Sequence, residues 1–237
     1  MSNKNKIIVT GGNGRFGKIL HQHVGSNYLF PKKNELDILK ISSIINYLKK
    51  IKPKYLIHLA GLSRPMVLHE NDIKKSISLN IIGTANIVIA CEKFNIKLIY
   101  FSSSYVYPGV KGNYKETDAL LPINNYAWSK LGAESAVQMY KNSLILRVSM
   151  TEKPFVHKKA YADMITNFIF HEDFIKIFKK VLNKKGILNI GGKTDTVYNF
   201  AKKHKKNVKK IYLKKNLFPK MPKNSSMSLT KLKKLIK

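Results

Sequence analysis

The sequence predicts an α/β fold built on a doubly wound parallel sheet. Short apolar segments without polar alternation are separated by longer segments that carry apolar residues at helical spacing. Strands of that kind, alternating with helices, are typical of a parallel sheet that helices cover on both faces. A glycine-rich turn between the first strand and the first helix supports the same architecture.

The predicted elements alternate regularly through the first 149 residues. Strands are expected in KIIVTGG, YLFP, YLIHLAG, KLIYFSSS and SLILRVS, and helices in GRFGKILHQHV, ISSIINYLKKI, roughly residues 72–94 and YAWSKLGAESAVQMYK. The second helix should end at Lys52-Pro53, because proline disfavours helical backbone in the residue before it.

The turn after the first strand has three glycines at the spacing GxxGxxG. Such a turn lets the backbone approach a diphosphate and places that group at a helix N-terminus. We therefore predict a Rossmann-type dinucleotide-binding fold. The cofactor-binding residues predicted in this turn are Gly11, Asn13, Gly14, Arg15, Phe16 and Gly17.

The alternation loosens after Ser149. The segment KPFVHKKAYADM reads as an irregular connection, followed by elements expected in EDFIKIFKKVLNK (helix), GILNIGG (strand), TVYNFAKKHKK (helix), NLFPKMPKNSS (loop) and SLTKLKKLI (helix). We predict a dinucleotide-binding domain over residues 1–149 and a small, shortened C-terminal substrate lobe over residues 150–237, interleaved with the first.

The composition narrows the class of protein. The chain has a formal net charge of +31, but all except three of its 44 basic residues are lysine. Proteins that read nucleic acid favour arginine, so we attribute the excess to a lysine-rich composition and expect no specific nucleic-acid partner. No apolar run is long enough to span a membrane, and the single cysteine, Cys91, fits buried packing in a reducing compartment. We expect a cytoplasmic protein.

The second predicted strand leads into Pro31-Lys32-Lys33, with no acid before Glu35. An acid at this place is typical of NAD-binding folds, whereas a lysine can pair with the 2′-phosphate of NADP. We therefore predict Lys32 as a cofactor-binding residue and NADP as the cofactor, with NAD as the alternative.

Tyr126 and Lys130 lie four residues apart at the start of a predicted helix. Residues at this spacing share a helix face, and a nearby cation lowers the pKa of a phenol toward the neutral range. We therefore expect Lys130 to lower the pKa of Tyr126 and to hydrogen-bond a ribose. The hydroxyl-rich segment FSSSYVYPG follows a strand, so its side chains are expected at the carboxyl edge of the sheet, where open α/β folds bind ligands.

These motifs identify a family. The chain resembles the extended short-chain dehydrogenase/reductases through TGGNGRFG, HLAG, NIIGT, FSSSYVYPG and YAWSK. Within that superfamily it is most similar to the dTDP-4-dehydrorhamnose reductases, through NELDILKISSIINYLKKIKPKYLIHLAG, YKETDALLPINNYAWSKLGAE and the C-terminal MPKNSSMSLTKLKKL.

The resemblance implies a role for each motif residue. Tyr126 would be the general acid, Lys130 would hold the nicotinamide ribose, and Ser103 would polarise the substrate carbonyl. It also implies further site residues: Asp37 and Ile38 near the adenine, Ala60 and Gly61 near the ribose and phosphates, Asn80 on the cofactor side, and Ser104 and Tyr105 beside the substrate. We expect no metal site, because no cysteine or acid stands at ligand spacing from the histidines.

The expected function is NADPH-dependent reduction of a nucleotide-linked 4-keto-6-deoxy sugar, with hydride transfer to C4. Nucleotide-sugar dehydratases carry acidic residues where this chain has Ser104 and Tyr105, and their absence argues against dehydration. Two alternatives remain: an NAD-dependent nucleotide-sugar epimerase, and a non-catalytic, reductase-like regulatory or binding subunit. The segment from Ser149 to Asp163 is shorter than is typical of the family, so the resemblance does not determine which sugar nucleotide is the substrate. We expect a homodimer.

Overall fold

The computed structural model describes residues 6–236 and confirms the α/β fold class. Its strands are β1 Ile7–Thr10, β2 Tyr28–Leu29, β3 Tyr55–His58, β4 Lys97–Ser103, β5 Ser143–Val148, β6 Met150–Thr151, β7 Lys159–Tyr161, β8 Ile165–Thr166, β9 Ile169–Phe170, β10 Gly186–Ile190, β11 Asp195–Thr196 and β12 Lys209–Ile211. Its α-helices are α1 Arg15–Gln22, α2 Ile41–Ile51, α3 Val67–Asn71, α4 Ile73–Ser76, α5 Gly83–Lys93, α6 Asn125–Gln138, α7 His171–Val181, α8 Val197–His204 and α9 Thr230–Ile236.

Six strands form one parallel sheet in the order β10-β5-β4-β3-β1-β2. The strand order reverses on either side of β1, so that β2 lies to one side and β3 to the other. Ligands of open α/β sheets bind beside the carboxyl ends of the strands at such a reversal. The place where a site is expected is therefore fixed by the topology.

Both faces of the sheet are buried. Ile8 and Val9 are adjacent and both fully buried, but they belong to different apolar clusters, because successive strand side chains point to opposite faces. Helices α1, α7 and α9 contribute Leu20, Phe174 and Leu232 to one cluster. The other cluster receives apolar residues of α2, α5 and α6, including the buried Cys91. Burial without alternation explains why the strand segments are apolar throughout.

The predicted helix over roughly residues 72–94 is present but not uniform. It consists of α4, a π-helical turn at Ile77–Ile82, and α5. Helix α2 ends at Ile51, before Pro53 as expected, and Lys52 follows it with a left-handed φ of 50°. Asn124 caps α6 by accepting a hydrogen bond from the Ala127 amide at 2.9 Å.

The segment after Ser149 is more regular than predicted. The stretch expected to be an irregular connection contains β7, which pairs with β12 far along the chain; a three-residue strand is too short to leave a periodic pattern. The pair of β8 and β11 belongs to this part as well, whereas β6 and β9 pair next to the sheet, because Ile169 and Met150 pack in one of its apolar clusters. The apolar core of this part is separate from the sheet clusters and consists of Phe155, Ala160, Met164, Val197, Ala201 and Val208; we call this part the lobe.

The chain returns from the lobe to the sheet, since β10 pairs in parallel with β5. Helix α9 then packs against β10 and α7. The two parts are thus interleaved, while a domain boundary at residue 149 stays a prediction. None of the helices described between residues 6 and 236 is long and apolar enough to cross a membrane.

Candidate active site

A cavity of about 280 Å³ opens at the carboxyl ends of β1, β3, β4 and β5. The glycine turn forms one wall, and the segments after β4 and β5 form the opposite one. Predicted site residues that line the cavity are Gly11, Gly14, Arg15, Phe16, Gly17, Ala60, Gly61, Ser103, Ser104, Tyr105, Tyr126 and Lys130. Sequence positions more than 100 residues apart therefore meet at one place.

The glycine turn is built for close backbone contact. A Cβ on Gly17 would lie 2.6 Å from the carbonyl oxygens of Gly11 and Gly12, and Gly11 itself has a φ of +73°. No side chain caps α1 at Gly14. The first backbone N–H groups of α1 therefore have no side-chain acceptor at the end of the helix next to the cavity. A diphosphate fits such a helix start, because it accepts those hydrogen bonds and suits the positive end of the helix dipole.

Ser103 and Tyr126 come together across the cavity. Ser103 is the last residue of β4, and Tyr126 lies in the first turn of α6. The Ser103 side chain is one of the groups that lower the pKa of the Tyr126 phenol, and it accepts from the Tyr105 amide at 3.2 Å. Two hydroxyl groups thus converge where a substrate carbonyl could reach both of them.

The prediction that Lys130 lowers the pKa of Tyr126 is wrong. Burial raises the pKa of Tyr126, and the Ser103 side chain and the charges of Arg64 and Arg15 oppose that rise only in part. Lys130 is not among the groups that lower it. Tyr126 is therefore a protonated phenol at neutral pH, which suits a proton donor.

Lys130 is itself perturbed. Burial lowers the pKa of Lys130 to about 7, although the Glu134 carboxylate one turn along α6 works in the opposite direction. The Lys130 Nζ lies 4.3 Å from the centroid of the Tyr100 ring, at a distance typical of a cation–π contact. A buried lysine without a directly paired carboxylate is a group whose charge a ligand can stabilise.

Asn80 supports the site from behind. It lies in the π-helical turn and does not line the cavity. Its side chain accepts from the Leu62 amide at 2.7 Å and donates to the Ser129 hydroxyl at 2.8 Å. It therefore ties the loop after β3 to the helix that carries Tyr126, and the bulged turn aims it there.

Four other predicted cofactor residues stay away from the cavity. Asn13 and Lys32 are exposed, and the Lys32 amide donates to the Glu35 carboxylate at 2.8 Å. Asp37 accepts from the Leu39 amide at 3.0 Å, and Ile38 packs in the apolar cluster of one sheet face. Their cofactor contacts stay predictions, and none of these side chains lines the cavity.

Four charged or titratable residues of the cavity were not among the predicted site residues: His58, Arg64, Glu152 and His171. Glu152 and His171 come from the segment after β5 and the start of α7, where no motif was recognised. The scarcity of arginine could have identified Arg64, since the chain has only three. Among residues 6–236 no cluster of three metal-ligating side chains occurs.

The family model described as the RmlD substrate binding domain matches residues 5–180, which is most of the chain. The chain belongs to this family. The resemblance to the extended short-chain dehydrogenase/reductases is thereby confirmed, and the parallel six-stranded sheet described above matches the Rossmann-type fold of solved members.

Two curated proteins with different names are similar to part of the chain. Methionine adenosyltransferase 2 subunit beta of Pongo abelii is 28% identical over 142 residues, covering 56% of this chain and 42% of that protein. The dTDP-4-dehydrorhamnose reductase of Aggregatibacter actinomycetemcomitans is 28% identical over 152 residues, covering 62% and 51%. The matched regions therefore span about half of the curated relatives.

Solved structures agree over nearly the whole chain. The dTDP-4-dehydrorhamnose reductase of Bacillus anthracis in complex with NADP has a TM-score of 0.87 at 24% identity, covering 97% of this chain and 92% of that one. The dTDP-4-dehydrorhamnose reductase of Yersinia enterocolitica has a TM-score of 0.80 at 25% identity, covering 94% and 90%. These similarities establish the fold over nearly the whole chain.

Proposed function

We propose that the protein is an NADPH-dependent reductase of a nucleotide-linked 4-keto-6-deoxy sugar, similar to dTDP-4-dehydrorhamnose reductases. The observation that carries the proposal is the presence of Ser103, Tyr126 and Lys130 in the lining of one cavity together with the glycine turn. The similarity to curated and solved dTDP-4-dehydrorhamnose reductases supports the same reaction.

In this proposal, different residues of the cavity bind the cofactor and transfer the proton. The glycine turn and the start of α1 would hold the cofactor diphosphate, and Lys130 would hold the nicotinamide ribose. NADPH, when bound, supplies the hydride for C4 of the sugar. The Tyr126 phenol donates its proton to the carbonyl oxygen as that oxygen gains charge, while the Ser103 hydroxyl donates a hydrogen bond to the same oxygen. NADP is the proposed cofactor, with NAD as the alternative.

The reaction is tested by following NADPH absorbance with purified protein and dTDP-4-keto-6-deoxy sugars. The expected result is loss of NADPH equal to the sugar reduced, and no loss when the sugar is omitted. If no 4-keto sugar nucleotide causes NADPH oxidation, the protein is not this reductase. Tightly held NAD with interconversion of C4 epimers, and no net oxidation, would favour the epimerase.

A non-catalytic binding subunit is the second candidate. The similarity to methionine adenosyltransferase 2 subunit beta favours it, since that relative is named as a subunit. Such a protein would bind the dinucleotide and show no turnover with any sugar nucleotide. We also propose a homodimer and a cytoplasmic location, which light scattering of the purified protein and cell fractionation would test.

A further inference from the structure

Two arginines of the cavity converge on one carboxylate oxygen. The Arg15 Nη1 lies 3.0 Å from Glu152 Oε1, and the Arg64 Nη1 lies 3.6 Å from the same oxygen. The Arg15 Nη2 also donates to the Ser63 hydroxyl at 3.1 Å. All four residues line the cavity, so the cluster belongs to its wall.

The cluster bridges separate parts of the fold. Arg15 is the first residue of α1, immediately after the glycine turn, and Arg64 follows β3. Glu152 follows β6, where the chain enters the lobe. Two positive charges meet one negative charge at this point, which leaves the cluster with a net attraction for anions.

Composition indicates that these positions require arginine. All except three of the 44 basic residues are lysine. The third arginine, Arg147, is fully buried and pairs with Glu134 at 2.6 Å. Arg15 and Arg64 are instead 42% and 38% exposed. Lysine forms an exposed ion pair as well as arginine does, whereas only the planar guanidinium group of arginine can donate to two phosphate oxygens at once.

The carboxylate is ionised and exchangeable. Burial works to raise the pKa of Glu152, but Arg64 and Arg15 are among the groups that hold it below its ordinary value. An ion pair with arginines this exposed contributes about 1 kcal/mol or less. A ligand anion of higher charge can therefore take the place of the carboxylate at little cost.

We propose that Arg15 and Arg64 form a diphosphate-binding pair for which Glu152 is the exchangeable counter-ion. In the free protein Glu152 occupies the anion position, and a nucleotide diphosphate displaces it on binding. The proposal rests on the proposed function for the class of ligand, and it adds the residue that competes with that ligand. The diphosphate could belong to the dinucleotide or to the sugar nucleotide.

Calorimetric titration of NADP⁺ and of dTDP into matched variants tests the exchange. Glu152→Gln removes the competing charge and should tighten binding of the probe that uses the pair by about five- to tenfold, with a steeper loss of affinity in salt. Arg64→Lys keeps the charge and loses the fork, and should weaken the same probe by about five- to tenfold. The probe that responds identifies the source of the diphosphate.

Glu92→Gln is the control, because Glu92 is an exposed glutamate near the end of α5, just before the amino end of β4. It makes the same change of charge and should leave both affinities unchanged. Unchanged or weaker binding in Glu152→Gln overturns the proposal, as does the absence of binding of both probes. Turnover of the unmodified protein decides the reductase function separately, because the comparison of affinities needs no reaction.

Discussion

The ammonium nitrogen of Lys130 lies 4.3 Å from the centre of the Tyr100 ring. Burial of the two side chains lowers the pKa of Lys130 to about 7 and raises the pKa of Tyr100 well above its ordinary value. Lys130 thus sits near its titration midpoint at neutral pH, next to a phenol that stays protonated. A small change in pH therefore changes the charge of the residue proposed to hold the nicotinamide ribose.

Cofactor affinity should fall as the pH rises above about 7. Only the protonated Lys130 carries the charge that favours an anionic dinucleotide, so the dissociation constant should increase by up to about tenfold per pH unit above that pKa. Titration of NADP⁺ from pH 6 to pH 9 measures it. Lys130→Met should bind weakly at every pH and lack this dependence; the same dependence in that variant would assign it to another group.

Tyr126→Phe should lower the turnover rate by about 10²- to 10⁴-fold, the range expected for a lost general acid. The cofactor dissociation constant should change little, because the ring remains in place. Steady-state kinetics with NADPH and a 4-keto sugar nucleotide, together with calorimetry, separate the two effects. Tyr212→Phe is the matched control on an exposed tyrosine. Full activity in Tyr126→Phe would remove the tyrosine from the proton transfer.

Gly17→Ala should damage both stability and cofactor binding. The added Cβ would lie 2.6 Å from two backbone carbonyl oxygens, and relief of that overlap costs about 1–3 kcal/mol. Gly25→Ala is the control, because its Cβ would have ordinary contact at 3.4 Å with the Asn27 side chain. Denaturant unfolding and NADP⁺ titration measure the two properties. Equal behaviour of the two variants would contradict the close packing of the turn.

Stability should fall in acid partly through His58. Its ring nitrogens lie 2.7 Å from the Thr10 hydroxyl and 3.1 Å from the Thr84 hydroxyl, and burial, with a smaller contribution from Lys130, lowers its pKa to about 3. The unfolded state takes up a proton below about pH 6.5 while the folded state does not, so stability is lost as pH falls from there toward 3.

Denaturant unfolding at pH 7 and pH 5 checks the contribution of His58. We expect the loss of unfolding free energy between these pH values to be about 2 kcal/mol smaller in His58→Gln than in the unmodified protein. His69 and His171, whose pKa values burial also lowers, are present in both proteins and cancel in the comparison. An identical loss in the two proteins would exclude His58 as the source.

Replacing one member of the buried pair of Arg147 and Glu134 should lower the free energy of unfolding strongly. Replacing both members should lower it by much less than the two single losses added together. Arg147→Met or Glu134→Met alone leaves an unpaired buried charge and should cost about 3–5 kcal/mol of unfolding free energy. The double variant should cost well below the sum of the two, because no charge is left unpaired. Denaturant unfolding of the four proteins completes the cycle. Additive costs would show that the two charges do not depend on each other.

Sequence patterns predicted those parts of the site that depend on interactions between residues close together in the chain. The apolar strands, the glycine turn and the spacing of Tyr126 and Lys130 each follow from neighbours in sequence. The pKa of Lys130 could not be predicted in this way, because its direction depends on burial in the folded protein. The prediction for the pKa of Tyr126 failed for the same reason: the sequence supplied only the charge of its neighbour Lys130, whereas burial has the larger effect.

Contacts between distant segments were equally out of reach. Arg15 meets Glu152 across 137 residues, and no spacing rule relates two positions so far apart. Asp37 and Ile38 were assigned to the cofactor through a motif, and that assignment stays a prediction. In the structure Ile38 is buried in an apolar cluster, and a Cβ on Gly83 would lie 2.7 Å from its Cδ1.

The chain passes between the sheet clusters and the lobe core four times among residues 6–236, which are the crossings after β5, before α7, after β10 and before α9. No single peptide bond therefore separates the two parts, and cleavage near residue 149 would release neither as a complete unit. Recombination that exchanges one continuous gene segment cannot replace this lobe whole.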